Sequence, residues 1–518
     1  MSNPTISFTF RRLRLTGIVG LSFVLSLAGC DDAGKSSTIP PVIDTAPSTV
    51  DKAAEQVRAY PAPPPPSEPR PVNFPDVQQF ELPNKMQVYV IENHEIPLVQ
   101  ARLVVETGTV NDPLLATMAA AMLGEGVAGK KKLTKAKIDA KIEQVGASLR
   151  VRAGVNNSAI HTTVLRKDLK MALGLVADLA IHPTFPAESL DKIKDEQKVN
   201  LRSTKSDGGA LATQLLSQAL YPEGHPYGRA LPTEKQIDGI NLEQIKRFHS
   251  TWYGANRAYL ILAGDIDMAS AETLARDTFG AWKPKDSYPD HPLNRFSSAD
   301  YGKALPSKVQ VHVVERNSIS ADIRWGNLSM ARNHDDWIKL SVVNRYFGSG
   351  GMSARLFLDI RETRKLTYNI SAHQSSSKTM GEFVIATQTK KISAMLDALF
   401  EHVDRLRAEE PSEEEFEAAV KGMALSFPLG IETAQQVARK VAHTLTYGLP
   451  EDYYKTYRDK LLAVKRQDMK TTASRFIHSV PIIVIVGRRT KIDKQLAKVE
   501  ALRDAEIFHY DTELRRQE

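Results

Sequence analysis

Apolar and polar positions alternate through much of 80–106, and the pattern breaks at Pro83-Asn84-Lys85 and again at Glu95-Ile96-Pro97. A period of two interrupted by turn residues predicts strands at 86–91 and 99–106, paired as a hairpin. Farther on, the period lengthens to that of helices over 114–124, 134–145, 167–180 and 188–202. A short apolar run at 258–263 closes at Gly264 and leads into a helix over 269–279.

The second half of the chain repeats this plan. Helical runs at 392–405 and 412–425 flank Pro411 as those at 169–180 and 188–202 flank Pro186, and a strand at 481–486 closes at Gly487 as the earlier one closes at Gly264. Pro411 follows Pro186 by 225 residues and Gly487 follows Gly264 by 223. A near-constant offset across several features indicates duplication. The expected fold class is therefore α+β with two homologous halves, over 79–290 and 305–515.

Residues ahead of this body have a different character. Arg11, Arg12 and Arg14 precede an apolar stretch at 18–28 that is too short to span a bilayer, and it ends in Leu27-Ala28-Gly29-Cys30. This reads as a lipoprotein signal over 1–30, with lipidation at Cys30, the only cysteine among 518 residues. Residues 31–78, rich in Ser, Thr, Ala and Pro, read as a disordered tether. Asp31 and Asp32 point to the inner membrane, the outer membrane being the alternative, with the body facing the periplasm. The formal charge of +7 is mild for this length, and no basic cluster interleaved with aromatics suggests nucleic acid as a partner.

One segment carries the candidate chemistry. An apolar helical run reaches Gly348-Ser349-Gly350-Gly351, and a second apolar helix starts near Ser353, carrying Arg361 and Tyr368. The glycines suit a hinge or a close backbone approach to a ligand. Arg361 offers a forked donor set for a backbone carbonyl or carboxylate, and Tyr368 a hydroxyl. A surface ion pair with Asp359 or Glu362, a core aromatic and a simple helix-breaking turn are the plainer alternatives. Glu413, Glu414 and Glu415 suit a helix N-terminus capped by Ser412.

The passage 341–370 resembles the M16 (pitrilysin/insulinase-like) metallopeptidases, in which a Gly-containing loop precedes R-x-x-x-x-L-x-Y. His225-Pro226-Tyr227-Gly228-Arg229 resembles that family's H-P-Y-G-R turn, and Ala255-Asn256-Arg257 through Gly264-Asp265-Ile266 resembles a further passage of it. The resemblance implies halves of the LuxS/MPP-like metallohydrolase type, each a mainly antiparallel sheet packed with helices, in a clamshell arrangement. It also implies peptide binding by Arg361, Tyr368, Gly348, Gly350 and Gly351.

The family's zinc motif, H-x-x-E-H with a distal Glu, has no counterpart here. Thr117, Ala120 and Ala121 fall at the three motif positions and Asn200 near the distal one. None supplies an imidazole or a carboxylate. The thirteen histidines are scattered, with no two within five residues of each other. The implied reading has no catalytic residue, metal or cofactor in this chain. It is a pseudoenzyme subunit that binds peptide and completes the active site of a zinc-bearing M16 sister in a heterodimer. A non-enzymatic scaffold or peptide-binding envelope lipoprotein is the alternative.

Overall fold

The computed structural model describes residues 73–129, 132–296 and 305–517, so the signal segment, Cys30 and most of the tether lie outside it. Two sheets dominate. The first holds β1 (Gln78–Glu81), β2 (Gln87–Glu92), β3 (Leu98–Val105), β4 (Leu149–Ala153), β5 (Ser158–Leu165) and β6 (Ala258–Gly264), in the order β1-β2-β6-β3-β5-β4. The second holds β7 (Gln310–Glu315), β8 (Ala321–Ser329), β9 (Ile370–Gln374), β10 (Gly381–Thr389), β11 (Ile482–Gly487), β12 (Glu506–Tyr510) and β13 (Arg516–Gln517), ordered β9-β10-β8-β11-β7-β12-β13.

The shared plan is visible strand by strand. In each half a late strand inserts between the first two long ones: β6 runs parallel to β2 and antiparallel to β3, as β11 does to β7 and β8. The hairpin expected between β2 and β3 is therefore not formed. Its two strands instead flank β6, whose seven residues are all buried. An uninterrupted apolar strand belongs in a sheet centre, and it displaces the local pairing.

The helices that fix the two cores are α1 (Pro113–Leu123), α2 (Lys135–Glu143), α3 (Leu169–Ile181), α4 (Leu190–Ser206), α5 (Gly208–Leu220), α6 (Leu242–Trp252), α7 (Met268–Phe279), α8 (Trp337–Asn344), α9 (Ile392–Ala408), α10 (Glu413–Ser426) and α11 (Ala434–Tyr447). One face of each sheet buries α1, α3, α6 and α7, or α8, α9 and α10, in its own half. The other face is covered reciprocally. Leu211, Leu215 and Leu216 of α5 pack on Val484 and Val486 of the second sheet, while Val437, Val441 and Ala442 of α11 pack among Val104, Tyr259 and Ile261 of the first. The H-P-Y-G-R turn fastens the same junction. His225 is buried and stacked on Tyr221 with 4.6 Å between ring centroids, and Tyr227 Oη donates to Asn156 Oδ1 at 2.7 Å while accepting from Lys378 N at 3.2 Å.

Order also begins before the tether's expected end at residue 78. Phe74 is buried in the cluster that includes α11 and stacks on Tyr454 at 5.5 Å, and Gln78 already lies in β1. An aromatic side chain with an apolar seat stays down even when the residues before it are proline-rich.

Candidate functional site

The helix that would carry a zinc motif is well built for packing. Asp112 caps it by accepting from Leu115 N at 2.8 Å, and Pro113 occupies its first turn. Thr117 turns its hydroxyl back to donate to Pro113 O at 2.7 Å, Ala120 is buried and Ala121 is partly so. Asn200 is exposed on α4, beside Glu196 and Val199. A hydroxyl already spent on its own helix and two methyl groups make no ligand set for zinc. Among the described residues no three His, Cys, Asp or Glu side chains converge on one point. The alanines also suit the helix: they remove the cost of burying unpaired polar groups and raise helix propensity.

Arg361 and Tyr368 are brought together, though not on one helix. After α8 the chain widens into a π-turn at Arg345–Ser349, tightens at Gly351–Ser353 and continues as a wide helical segment, Phe357–Thr363. That segment stops before Lys365, which takes a left-handed φ of 53°, and Tyr368 lies beyond it, just before β9. The Arg361 guanidinium is sandwiched, 4.4 Å from the Phe357 ring and 4.7 Å from the Tyr368 ring. It also makes a 3.4 Å contact with Glu362. Tyr368 is 84% exposed, so the core-aromatic alternative does not hold. The pair presents a cation and a phenol to solvent on one small platform.

A charged scaffold holds this platform from behind. Arg355 binds Glu415 through two hydrogen bonds, at 3.0 and 2.8 Å, and Glu415 in turn completes the capping box of α10 with Ser412. Asp359 accepts from Arg364 and lies 2.6 Å from Nε2 of buried His402, while Arg364 also binds Glu401 at 2.8 Å. Burial lowers the His402 pKa, and its carboxylate partner opposes that shift. Asp359 is thus occupied elsewhere, and the pairing with Arg361 falls to Glu362. The supporting residues Arg355, Asp359, Arg364 and His402 carry no motif. Only the fold reveals them.

The three glycines separate by role. A Cβ on buried Gly348 would lie 2.5 Å from Ala372 Cβ and 2.7 Å from Ala372 N, so this glycine serves close packing against β9 and is not available to a substrate. Gly350 is partly buried, with a Cβ position 2.5 Å from Arg345 O. Gly351 is exposed and takes a φ of 66°, which permits the sharp change of direction ahead of the Arg361 segment.

Of three histidines in the first half, His161, His225 and His249, two have structural roles. His249 Nε2 bonds Ala180 O at 2.8 Å, and burial pushes its pKa down to about 4; His225 holds the half-to-half junction. His161 differs: it stands in a row of arginines on the face of the first sheet shared with α11. The alternation in Leu149-Arg150-Val151-Arg152-Ala153 is the sequence signal for that row.

Comparison with known proteins agrees with this geometry. The profile described as "Insulinase (Peptidase family M16)" matches residues 87–231, and "Peptidase M16 inactive domain" matches 239–423. An uncharacterized zinc protease of Streptomyces coelicolor is 19% identical over 72% of this chain and 80% of that protein. A protein of Helicobacter pylori named "Non-peptidase homolog YmxG" is 23% identical over 73% of this chain and 86% of its own length. Among solved structures, a peptidase M16 inactive domain from Pseudomonas fluorescens is 25% identical, with a TM-score of 0.72 over 80% of this chain and 98% of that one. With this duplicated sheet topology and both profile matches, the chain belongs to the M16 peptidase family.

Proposed function

We propose that this chain is the zinc-free subunit of a two-subunit peptidase at the cell envelope. A sister chain bearing H-x-x-E-H supplies metal and general base, and this chain contributes Arg361 and Tyr368 to hold the peptide beside them. The observation that carries the reading is the solvent-facing Arg361–Tyr368 platform, backed by partly buried ion pairs in a chain whose own motif positions offer no imidazole or carboxylate. A scaffold has no use for a cation and a phenol held so firmly and left open to solvent. The leader and Cys30 would place the complex on a membrane, facing the periplasm, with peptides as substrates.

The test is reconstitution. Purified alone, the chain should hold no stoichiometric zinc and cleave no peptide. Mixed with an H-x-x-E-H homologue from the same organism, it should confer zinc-dependent cleavage that neither protein shows alone. Stoichiometric zinc and proteolysis by the lone chain would refute the proposal. A complex that assembles and works equally well with Arg361→Ala would instead favour the scaffold.

A further inference from the structure

On the face of the first sheet shared with α11, one row crosses four strands: Ile261 of β6, Arg102 of β3, His161 of β5 and Arg150 of β4 stand directly opposite one another in register. Arg152, two residues along β4, points to the same side. Arg439 of α11 adds a further cation whose field reaches both Arg102 and His161. No hydrogen bond or ion pair to another described residue satisfies these four arginines, and Nε of Arg102 and Nδ1 of His161 are buried without partners. Burial and the surrounding arginines push the His161 pKa down to about 4.

The duplication supplies an internal control. Gly264 and Gly487, and the strand registers around them, equate the first-half row with Val484, Arg324, Ala386 and Ser371 in the second half. There the row's one arginine, partly buried like Arg102, is provided for. Arg324 donates to Thr213 Oγ1 at 2.9 Å and Gly209 O at 2.9 Å, both on α5, and lies in the negative field of Asp322 and Asp207. In the first half the place of Asp322 is taken by Gln100. The 226-residue offset that carries Leu211 to Val437 and Leu215 to Val441 puts Arg439 at the place of Thr213. Where one half neutralises its arginine, the other surrounds it with more positive charge. Arg102 is partly buried, and charge left so without a counter-ion costs stability, while Arg150, Arg152 and Arg439 are exposed beside it. The result is an open cationic row for which an external anion is the natural counterpart.

We propose that this row is a recognition surface for an extended acidic peptide, one with Asp or Glu at alternate positions. β4 is the terminal strand of its sheet, so a peptide can add along it as a further strand. Side chains two apart in a strand repeat about every 6.6 Å, which is the spacing of Arg150 and Arg152 along β4. Carboxylates on the added strand would face those two arginines as cross-strand partners, with His161, Arg102 and Arg439 extending the positive field behind them. A lone phosphate would engage only one or two of these groups. A flat bilayer would meet α11, which packs on the same face. The inference deepens the reading above by naming the peptide class, and depends on it only in taking the occupant to be a peptide.

Fluorescence polarisation with the purified full chain tests it. The probes are two labelled peptides of about ten residues, one alternating Thr with Glu and the other Thr with Lys. The Glu peptide should bind at least about tenfold tighter at low salt and lose that advantage as salt is raised. Arg150→Ser with Arg152→Ser, both at exposed positions, should remove about tenfold of the affinity without lowering the Tm. Equal binding of the two peptides would overturn the proposal. So would indifference to the double substitution, or displacement of the Glu peptide by millimolar inorganic phosphate or anionic vesicles as readily as by unlabelled peptide. Reconstituted cleavage with no charge preference would sink this inference and leave the two-subunit reading standing. Selective acidic binding by the lone chain with no productive sister would do the reverse.

Discussion

The guanidinium of Arg361 lies under the ring of Tyr368 at 4.7 Å, although six residues, including a left-handed turn at Lys365, separate them. Stacking sets the orientation of both without engaging the phenol hydroxyl, which stays free for a ligand. Arg361→Ala and Tyr368→Phe should therefore change stability little, by about 1 kcal/mol or less for an exposed cation–π contact. In the reconstituted peptidase each should lower kcat/KM, on the order of 100-fold if the lost group donates to the developing oxyanion. Unfolding curves and steady-state kinetics on the same preparations separate the two effects.

Gly348→Ala puts a methyl group into the packed face of β9, and the obstacle includes backbone. A cost of about 1–3 kcal/mol is expected from urea unfolding. Gly351→Ala meets open space but keeps a positive φ, so about 1 kcal/mol is expected there. The first substitution should also disturb the Arg361 platform, because β9 follows Tyr368 directly.

Reciprocal burial of α5 and α11 predicts that the halves unfold together. Leu216 is fully buried against the other half's sheet, and Leu216→Ala should cost about 2–5 kcal/mol. Tryptophan fluorescence and far-UV circular dichroism should report one coincident transition in both proteins. Two separated transitions would contradict the interlocked arrangement.

Acid should destabilise the fold through its buried histidines. His249 titrates near 6.5 when unfolded and about 4 when folded, so the unfolded chain binds the extra proton first. The stability it supports is complete above about pH 6.5 and is lost as pH falls from there toward 4, by on the order of 3 kcal/mol in all. His249→Gln should flatten that part of the Tm-against-pH curve, while other buried histidines such as His225, also near 4, leave a residual slope.

Much of the fold was readable along the chain. Helices α1, α3, α4, α9 and α10 stand within a few residues of where a 3.6-residue period put them, and the capping box at Ser412 and Glu415 is formed as the acidic run implied. β5 and β10 are not distinguished along the chain, because strands paired with distant partners carry no local signature beyond alternation. The absence of a β2–β3 hairpin has a related cause. Sequence neighbours usually pair, but β6, more apolar than either, takes the place between them.

The sequence alone determined the family, the duplication and the absence of a zinc motif, since each rests on residue identity and spacing. Only the tertiary structure decided that Gly348 packs while Gly351 turns, that Tyr368 is exposed, and that Arg355, Asp359 and His402 hold the platform. It alone showed that Arg102, His161 and Arg150 share one row without a counter-charge. The physical reason is the same throughout. Charge balance, exposure and close approach are properties of what surrounds a side chain, and in this protein those surroundings come from the other strand, the other helix or the other half.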